Sequence, residues 1–177
     1  MLPKLTDEIG AGAVPYLKKQ LFAPGGEVTD VTPLGAFPVT HRLGLCLCVP
    51  VRLGITGVTL RLCHDGAPYG DIPLDISESP LGVDCYRHTL ELSELCVGRR
   101  SGLFYYEFIL HRGRETLFYD TVNNVDMTLS GETSGRFMLL VYEDDFDVPR
   151  WLGSNIIYHI FVDRFGKTGR NLFVRDD

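Results

Sequence analysis

Apolar and polar residues alternate with a period of two along most of the chain from about residue 39. This period is typical of β-strands that bury one face and expose the other. An Arg-Gly pair at residues 112 and 113 favours a hairpin turn between two of these strands. The segments with the clearest alternation are Leu43 to Val49, Val58 to Leu62, Tyr86 to Leu92, Phe104 to Leu110, Glu115 to Tyr119 and Phe137 to Val141.

Two stretches give weaker signals. Residues 1–30 form a poorly defined N-terminal segment, in which Gly10, Gly12 and Pro15 argue against a stable helix. Residues 64–82 are rich in proline and glycine, and we expect turns there. About six or seven strands without a long helix predict an all-β fold, and a two-sheet sandwich of immunoglobulin-like size fits this pattern.

The pattern changes near the end of the chain. Residues 155–162 are almost continuously apolar or aromatic, as in a strand covered on both faces within a parallel barrel or sheet. Pro149, Trp151 and Gly153 mark the joint before this strand. We therefore predict a β-sandwich accessory domain at residues 31–147, and a linker with the first strand of a truncated barrel at 148–177. A single parallel strand needs neighbours, so the chain is expected to be a piece of a longer protein.

Composition narrows the function further. The chain has 177 residues, of which 45% are hydrophobic, and a formal net charge of -6. An acidic chain offers no basic surface for nucleic acid, and no apolar run reaches the roughly 18 residues of a membrane span. The five cysteines lack a metal-ligand or disulfide spacing, and the histidines lack one as well. We expect reduced thiols, no metal, no cofactor and a cytoplasmic location.

The end of the chain resembles a known enzyme family. Val141 to Trp151 (VYEDDFDVPRW) is similar to the junction that follows the N-terminal domain in glycoside hydrolases of family thirteen, the α-amylase family. Ile157 to Phe165 (IYHIFVDRF) looks like the first barrel strand of that family, commonly written YQIFPDRF. This chain has His159 in place of the usual glutamine and Val162 in place of the usual proline. Thr32 to Ala36, Phe104 to Tyr106 and Phe118 to Asp120 match the family's N-terminal domain more diffusely.

The resemblance implies an immunoglobulin-like, carbohydrate-binding-type sandwich followed by the first strand of a (β/α)8 barrel. Such domains serve enzymes that act on starch, maltooligosaccharides or pullulan by binding sugar, shaping the active-site mouth or mediating dimers. The family's catalytic carboxylates lie on later barrel strands, and none of their motifs occurs in this sequence. We therefore expect no catalysis by this chain, and we interpret Asp163 and Arg164 as a structural pair at the barrel rim.

Exposed aromatic rings are the natural platforms for sugar rings. Tyr105 lies opposite the apolar face of its strand, and Tyr69 and Tyr86 are further candidates for contacts with an α-glucan. Trp151 is expected to pack at the domain junction, together with Tyr158, Asp163 and Arg164.

Two other functions stay open at this stage. One is a purely structural or dimerisation domain of the same enzyme that binds no sugar. The other is an unrelated immunoglobulin-like interaction module, which the junction sequence disfavours. We also expect the apolar segment from Ile156 to Val162 to fold back on the sandwich or to pair with a second copy in a homodimer, since a lone strand leaves an open edge.

Overall fold

The structure is a computed structural model that describes residues 14–31, 35–64, 67–80, 82–96, 101–122, 126–145 and 151. The chain divides into two compact units between Asp144 and Asp145. The first unit contains all of the described strands. Of the second unit only Asp145 and Trp151 are described, so the predicted barrel strand lies outside the described residues.

The described residues form strands with little helix, which confirms the all-β prediction. A short helix, α1, spans Leu92–Leu95. In chain order the strands are β1 (Tyr16–Phe22), β2 (Val28–Asp30), β3 (Ala36–Pro38), β4 (Arg42–Pro50), β5 (Gly57–His64), β6 (Ala67–Leu74), β7 (Ile76–Glu78), β8 (Val83–Glu91), β9 (Gly102–Arg112), β10 (Glu115–Thr121), β11 (Met127–Ser130) and β12 (Phe137–Tyr142).

These strands form two sheets. The first has five strands in the order β2-β1-β4-β8-β7, and all of its pairs are antiparallel. The second has seven strands around β9. One edge of β9 pairs with β5, which in turn pairs with β6. The other edge pairs with β12 near its start and with β10 near its end. The strand β11 extends β10, and β3 runs parallel to β12.

The core lies between the two sheets. Leu43, Leu45 and Leu47 of the first sheet belong to the same cluster of buried residues as Phe104 and Phe137 of the second. The core-facing residues follow the predicted alternation, because every second residue of these strands is almost completely buried. The predicted hairpin turn is also present, since Arg112 ends β9, Glu115 begins β10 and Gly113 adopts a positive φ of 60°.

Two predictions about local structure are wrong. Residues 1–30 were expected to be poorly defined, yet β1 and β2 lie within them, so the sandwich begins before residue 31. The apolar alternation of β1 is broken by Lys19, which faces the core and is only 5% exposed. Because a lysine occupies a core-facing position, the sequence pattern does not predict this strand.

The second correction concerns residues 64–82, which contain β6 and β7 and are not merely turns. Strand β6 contains Pro68, Gly70 and Pro73, and among the described strands it pairs only with β5. Proline cannot donate to a central ladder, but an edge strand tolerates it. The register also shifts between Leu62 and Cys63, opposite Tyr69. These edge features explain why the sequence of this segment resembles that of a loop.

Candidate functional site

An apolar surface lies on the outer face of the seven-stranded sheet, where β9 pairs with β12. Phe104 and Tyr106 point into the core, so their neighbours Leu103 and Tyr105 face outward. Leu103 lies opposite Leu140, and Tyr105 lies opposite Met138. The exposed fractions are 39% for Leu103, 36% for Met138 and 41% for Leu140. We call Leu103, Tyr105, Met138 and Leu140 the outer-face patch.

A network of charged residues continues the same face beyond the patch. Glu107 is only 1% exposed, and one of its oxygens accepts a hydrogen bond from Thr133 Oγ1 at 2.8 Å. Its other oxygen lies 3.5 Å from Arg136 Nε and 4.0 Å from Arg61 Nη1. Arg61 also donates two hydrogen bonds to Asp71, at 2.9 and 2.8 Å. These bonds from the guanidinium hold the pKa of Asp71 below its usual value.

Two buried carboxylates, Glu107 and Asp120, lie on either side of the Thr133 hydroxyl. Thr133 Oγ1 is 2.8 Å from Glu107 Oε2 and 3.2 Å from Asp120 Oδ2. A retaining glycosidase also uses two nearby carboxylates, about 5 Å apart. However, Glu107 is 1% and Asp120 0% exposed, and both carboxylates bind other groups of the protein. A sugar therefore cannot reach these two carboxylates, and their contacts stabilise the fold.

The structure separates the three tyrosines that the sequence suggested for sugar binding. Tyr105 is half-buried on the outer face. Tyr69 is 53% exposed, but its ring meets the inward-facing Phe104 edge-on, with 6.2 Å between ring centroids. Tyr86 lies in the core and is only 2% exposed. The prediction that Tyr86 contacts sugar is therefore wrong, because a buried ring cannot stack on a sugar. The three rings do not form one binding surface.

The predicted junction residues lie mostly beyond the described part of the chain. Trp151 is described and is 61% exposed. Tyr158, Asp163 and Arg164 lie outside the described residues. The structural roles expected for these four residues therefore stay predictions.

The sequence pattern does not predict the cluster of cysteines that lies on the outer face of the five-stranded sheet. The Sγ atoms of Cys46, Cys48 and Cys85 all lie within 4.8 Å of one another. The sequence shows that Cys46 and Cys48 share a face, but Cys85 joins them only through the pairing of β4 with β8, where it lies opposite Cys48. Among the described residues, these three thiols lie close enough together that they could hold a metal ion.

Comparison with known proteins gives no family for this chain: no family model matches the sequence, and no curated protein matches it. Within the part of the chain that the structure describes, none of the helices has the length and apolar character needed to cross a membrane.

Proposed function

We propose that this chain contains the N-terminal accessory domain of an α-glucan-acting glycoside hydrolase of the α-amylase type. In this proposal an immunoglobulin-like sandwich leads into the first strand of a catalytic (β/α)8 barrel. The junction sequence from Val141 to Trp151 and the segment from Ile157 to Phe165 support the family. The position of the last strand supports it as well, since β12 ends at Tyr142 and the first compact unit ends at Asp144.

The outer-face patch is the surface through which we propose that the sandwich acts. Three of its four residues are aliphatic or thioether side chains, which suit packing against protein better than stacking on sugar. Met138 and Leu140 belong to β12, the strand that leads directly towards the junction sequence. The occupant that this continuity favours is the catalytic domain of the same enzyme. This combination of an aliphatic patch with the strand before the junction carries the proposal.

Substitution of Leu140 tests the packing role. In a polypeptide that joins this chain to the complete proposed barrel, Leu140→Asp should lower the temperature of unfolding and the rate of α-glucan hydrolysis, because a charge cannot be buried at a packed interface without cost. In the 177-residue chain the same change should leave folding almost unaffected, since Leu140 is 41% exposed there. Ile76→Asp is the matched control, because Ile76 is 52% exposed on the other sheet.

Equal effects of Leu140→Asp and Ile76→Asp in the longer polypeptide would contradict the packing role. A second copy of the chain is the competing occupant of the patch. Sedimentation of the 177-residue chain as a dimer that Leu140→Asp dissociates would show that the patch is a dimer interface, against the proposal.

A second candidate function is α-glucan binding around Tyr105. Its half-buried ring lies on the outer face of the sheet, and the partly exposed side chains of Arg61 and Arg136 lie beside the next outward position of β9. Aromatic faces beside polar groups are the usual elements of a sugar site. Chemical shifts followed by NMR during titration with maltoheptaose test this function, with Tyr105→Ala as the variant and Tyr69→Ala as the control. If millimolar sugar causes no change in chemical shift, α-glucan binding around Tyr105 is excluded and only the packing role remains.

A further inference from the structure

Three thiols come together on the outer face of the five-stranded sheet. Cys46 and Cys48 alternate along β4 with the core residues Leu45 and Leu47, so both point away from the core. Cys85 on β8 lies directly opposite Cys48. The Sγ atoms are separated by 3.8 Å for Cys46 and Cys48, and by 3.5 Å for Cys48 and Cys85. The third pair is within 4.8 Å.

These separations match the spacing of thiolates around a metal ion. A zinc–sulfur bond is about 2.3 Å, which places two sulfur ligands of a tetrahedral zinc about 3.8 Å apart. The observed distances of 3.8 and 3.5 Å are close to this value. A disulfide could join only two of the three sulfur atoms. The close approach of all three therefore fits a shared cation better than a covalent pair.

The surrounding charges suit a divalent cation. Arg87 on β8 lies opposite Cys46 on β4. Three thiolates around a divalent ion carry one negative charge, and Arg87 lies beside it. The charged or titratable groups near the cluster are Tyr16 and Lys18 from β1, Glu78 from β7 and Arg87 from β8.

The surface around the cluster is partly exposed to solvent. Cys46 is only half-buried, whereas Cys48 and Cys85 are buried. Tyr16, which hydrogen-bonds to Cys48, is 45% exposed at the same surface. No histidine or carboxylate belongs to the cluster in the described part of the chain. Three protein ligands with water in the fourth position are an established zinc geometry.

We propose that Cys46, Cys48 and Cys85 bind one zinc ion through three thiolates, with water as the fourth ligand. The ion joins β4 to β8 across the outer face of the sheet and stabilises their pairing. Binding displaces the thiol protons, so the affinity rises with pH. This inference does not depend on the proposed function, because the cluster lies on the sheet opposite the outer-face patch.

The experiment uses the 177-residue chain, reduced with a phosphine that carries no thiol and freed of metal. Zinc binding is measured by titration, and cobalt is added separately as a spectroscopic probe. We expect one equivalent of zinc, a thiolate-to-cobalt charge-transfer band, and a higher temperature of unfolding with zinc. Cys46→Ser and Cys85→Ser should each weaken binding by about 100-fold or more, since even loss of groups behind the ligands costs 10–100-fold.

The other two cysteines provide matched controls. Cys63 and Cys96 are buried cysteines outside the cluster, so Cys63→Ser and Cys96→Ser should keep the affinity and the cobalt band. Circular dichroism without metal shows whether each variant is folded. Absence of stoichiometric zinc binding by the folded, reduced chain would overturn the site, as would unchanged binding by Cys85→Ser. A Cys48–Cys85 disulfide in air-oxidised protein, with no zinc bound after reduction, would also overturn it.

Discussion

The carboxylate of Asp120 accepts a hydrogen bond from the backbone N–H of Ser134, with 2.6 Å between Oδ2 and N. The same oxygen lies 3.3 Å from the backbone nitrogen of Gly135, and Thr128 donates to the other oxygen. Asp120 is 0% exposed. One buried side chain on β10 therefore fixes the connection between β11 and β12, and so the position of the strand that carries half of the outer-face patch.

Removal of this carboxylate should destabilise the sandwich. Asp120→Ala leaves buried N–H and O–H donors without an acceptor, and we expect a loss of about 3 kcal/mol in the free energy of unfolding. Urea denaturation measures the change. Asp75→Ala is the control, because Asp75 is exposed on the surface and should change stability by less than about 0.5 kcal/mol. A loss for Asp120→Ala no greater than that of the control would contradict the anchoring role.

Two buried tyrosines should respond in opposite ways to the loss of their hydroxyl groups. The hydroxyl of Tyr106 is buried and has no hydrogen-bond partner within the described structure. Tyr106→Phe should therefore raise the free energy of unfolding by about 1 kcal/mol, because it removes an unsatisfied polar group. The hydroxyl of Tyr119 hydrogen-bonds to the backbone of Leu17, so Tyr119→Phe should lower the free energy of unfolding by about 1 kcal/mol. Denaturation of both variants checks the signs, and a matching loss in both would show that Tyr106 has a partner.

Lys19 should make stability depend on pH in the alkaline range. Its ammonium lies 5.2 Å from the centre of the Tyr106 ring, and desolvation lowers its pKa to about 8 from 10.5. Between these two values the unfolded chain binds more protons than the folded one, so this residue makes the protein more stable as pH rises from about 8 to 10.5. The full cost of burying the charge, about 3 kcal/mol, applies below pH 8.

Lys19→Met isolates this effect. We expect the variant to be more stable than the wild type at pH 7, and the difference between them to shrink as pH approaches 10.5. The comparison uses the difference in stability between the variant and the wild type. Burial raises the pKa of Tyr119 and Cys85, and these groups weaken the fold at alkaline pH in both proteins. Urea midpoints at pH 7 and pH 10 measure it. A difference that does not change with pH would contradict a lowered pKa for Lys19.

Truncation of a side chain on β12 should cost much more stability on the core face than on the outer face. Phe137 is 0% exposed and stacks on Tyr106 with 5.0 Å between ring centroids. Phe137→Ala should cost about 3–5 kcal/mol, because it removes buried apolar surface and leaves a cavity. Leu140→Ala should cost less than about 1 kcal/mol, since its side chain is 41% exposed. Thermal or urea unfolding measures the loss of stability in both variants. Similar losses would contradict the assignment of Phe137 to the core and Leu140 to the outer face.

The sequence predicts the core strands well where the alternation is unbroken. Leu43, Leu60, Phe104 and Phe137 are all buried, and each belongs to a predicted apolar face. The alternation identifies a face but does not reveal a strand whose core position is occupied by a charged residue. Lys19 has this effect in β1, because its aliphatic stem reaches the core while its charge suggests exposure.

The candidate sites depend on pairings between strands that are distant in the sequence. Tyr105 is correctly assigned to the outward face by alternation alone. Its pairing with Met138, and the meeting of Cys48 with Cys85 across 37 positions, follow from strand register. Register is set by the packing of both sheets and by the turns. Local periodicity therefore predicts which residues share a strand face, but not which strands become neighbours.

Release of reducing sugar from maltooligosaccharides tests the central proposal most directly. It should be measured for the 177-residue chain and for a polypeptide in which the proposed (β/α)8 barrel is complete. We expect no release by the shorter chain and measurable hydrolysis by the longer one, because in the proposed family the catalytic carboxylates belong to later barrel strands. Release by the shorter chain, or a longer polypeptide that does not hydrolyse α-glucans, would contradict the assignment of this sandwich to an α-amylase-type enzyme.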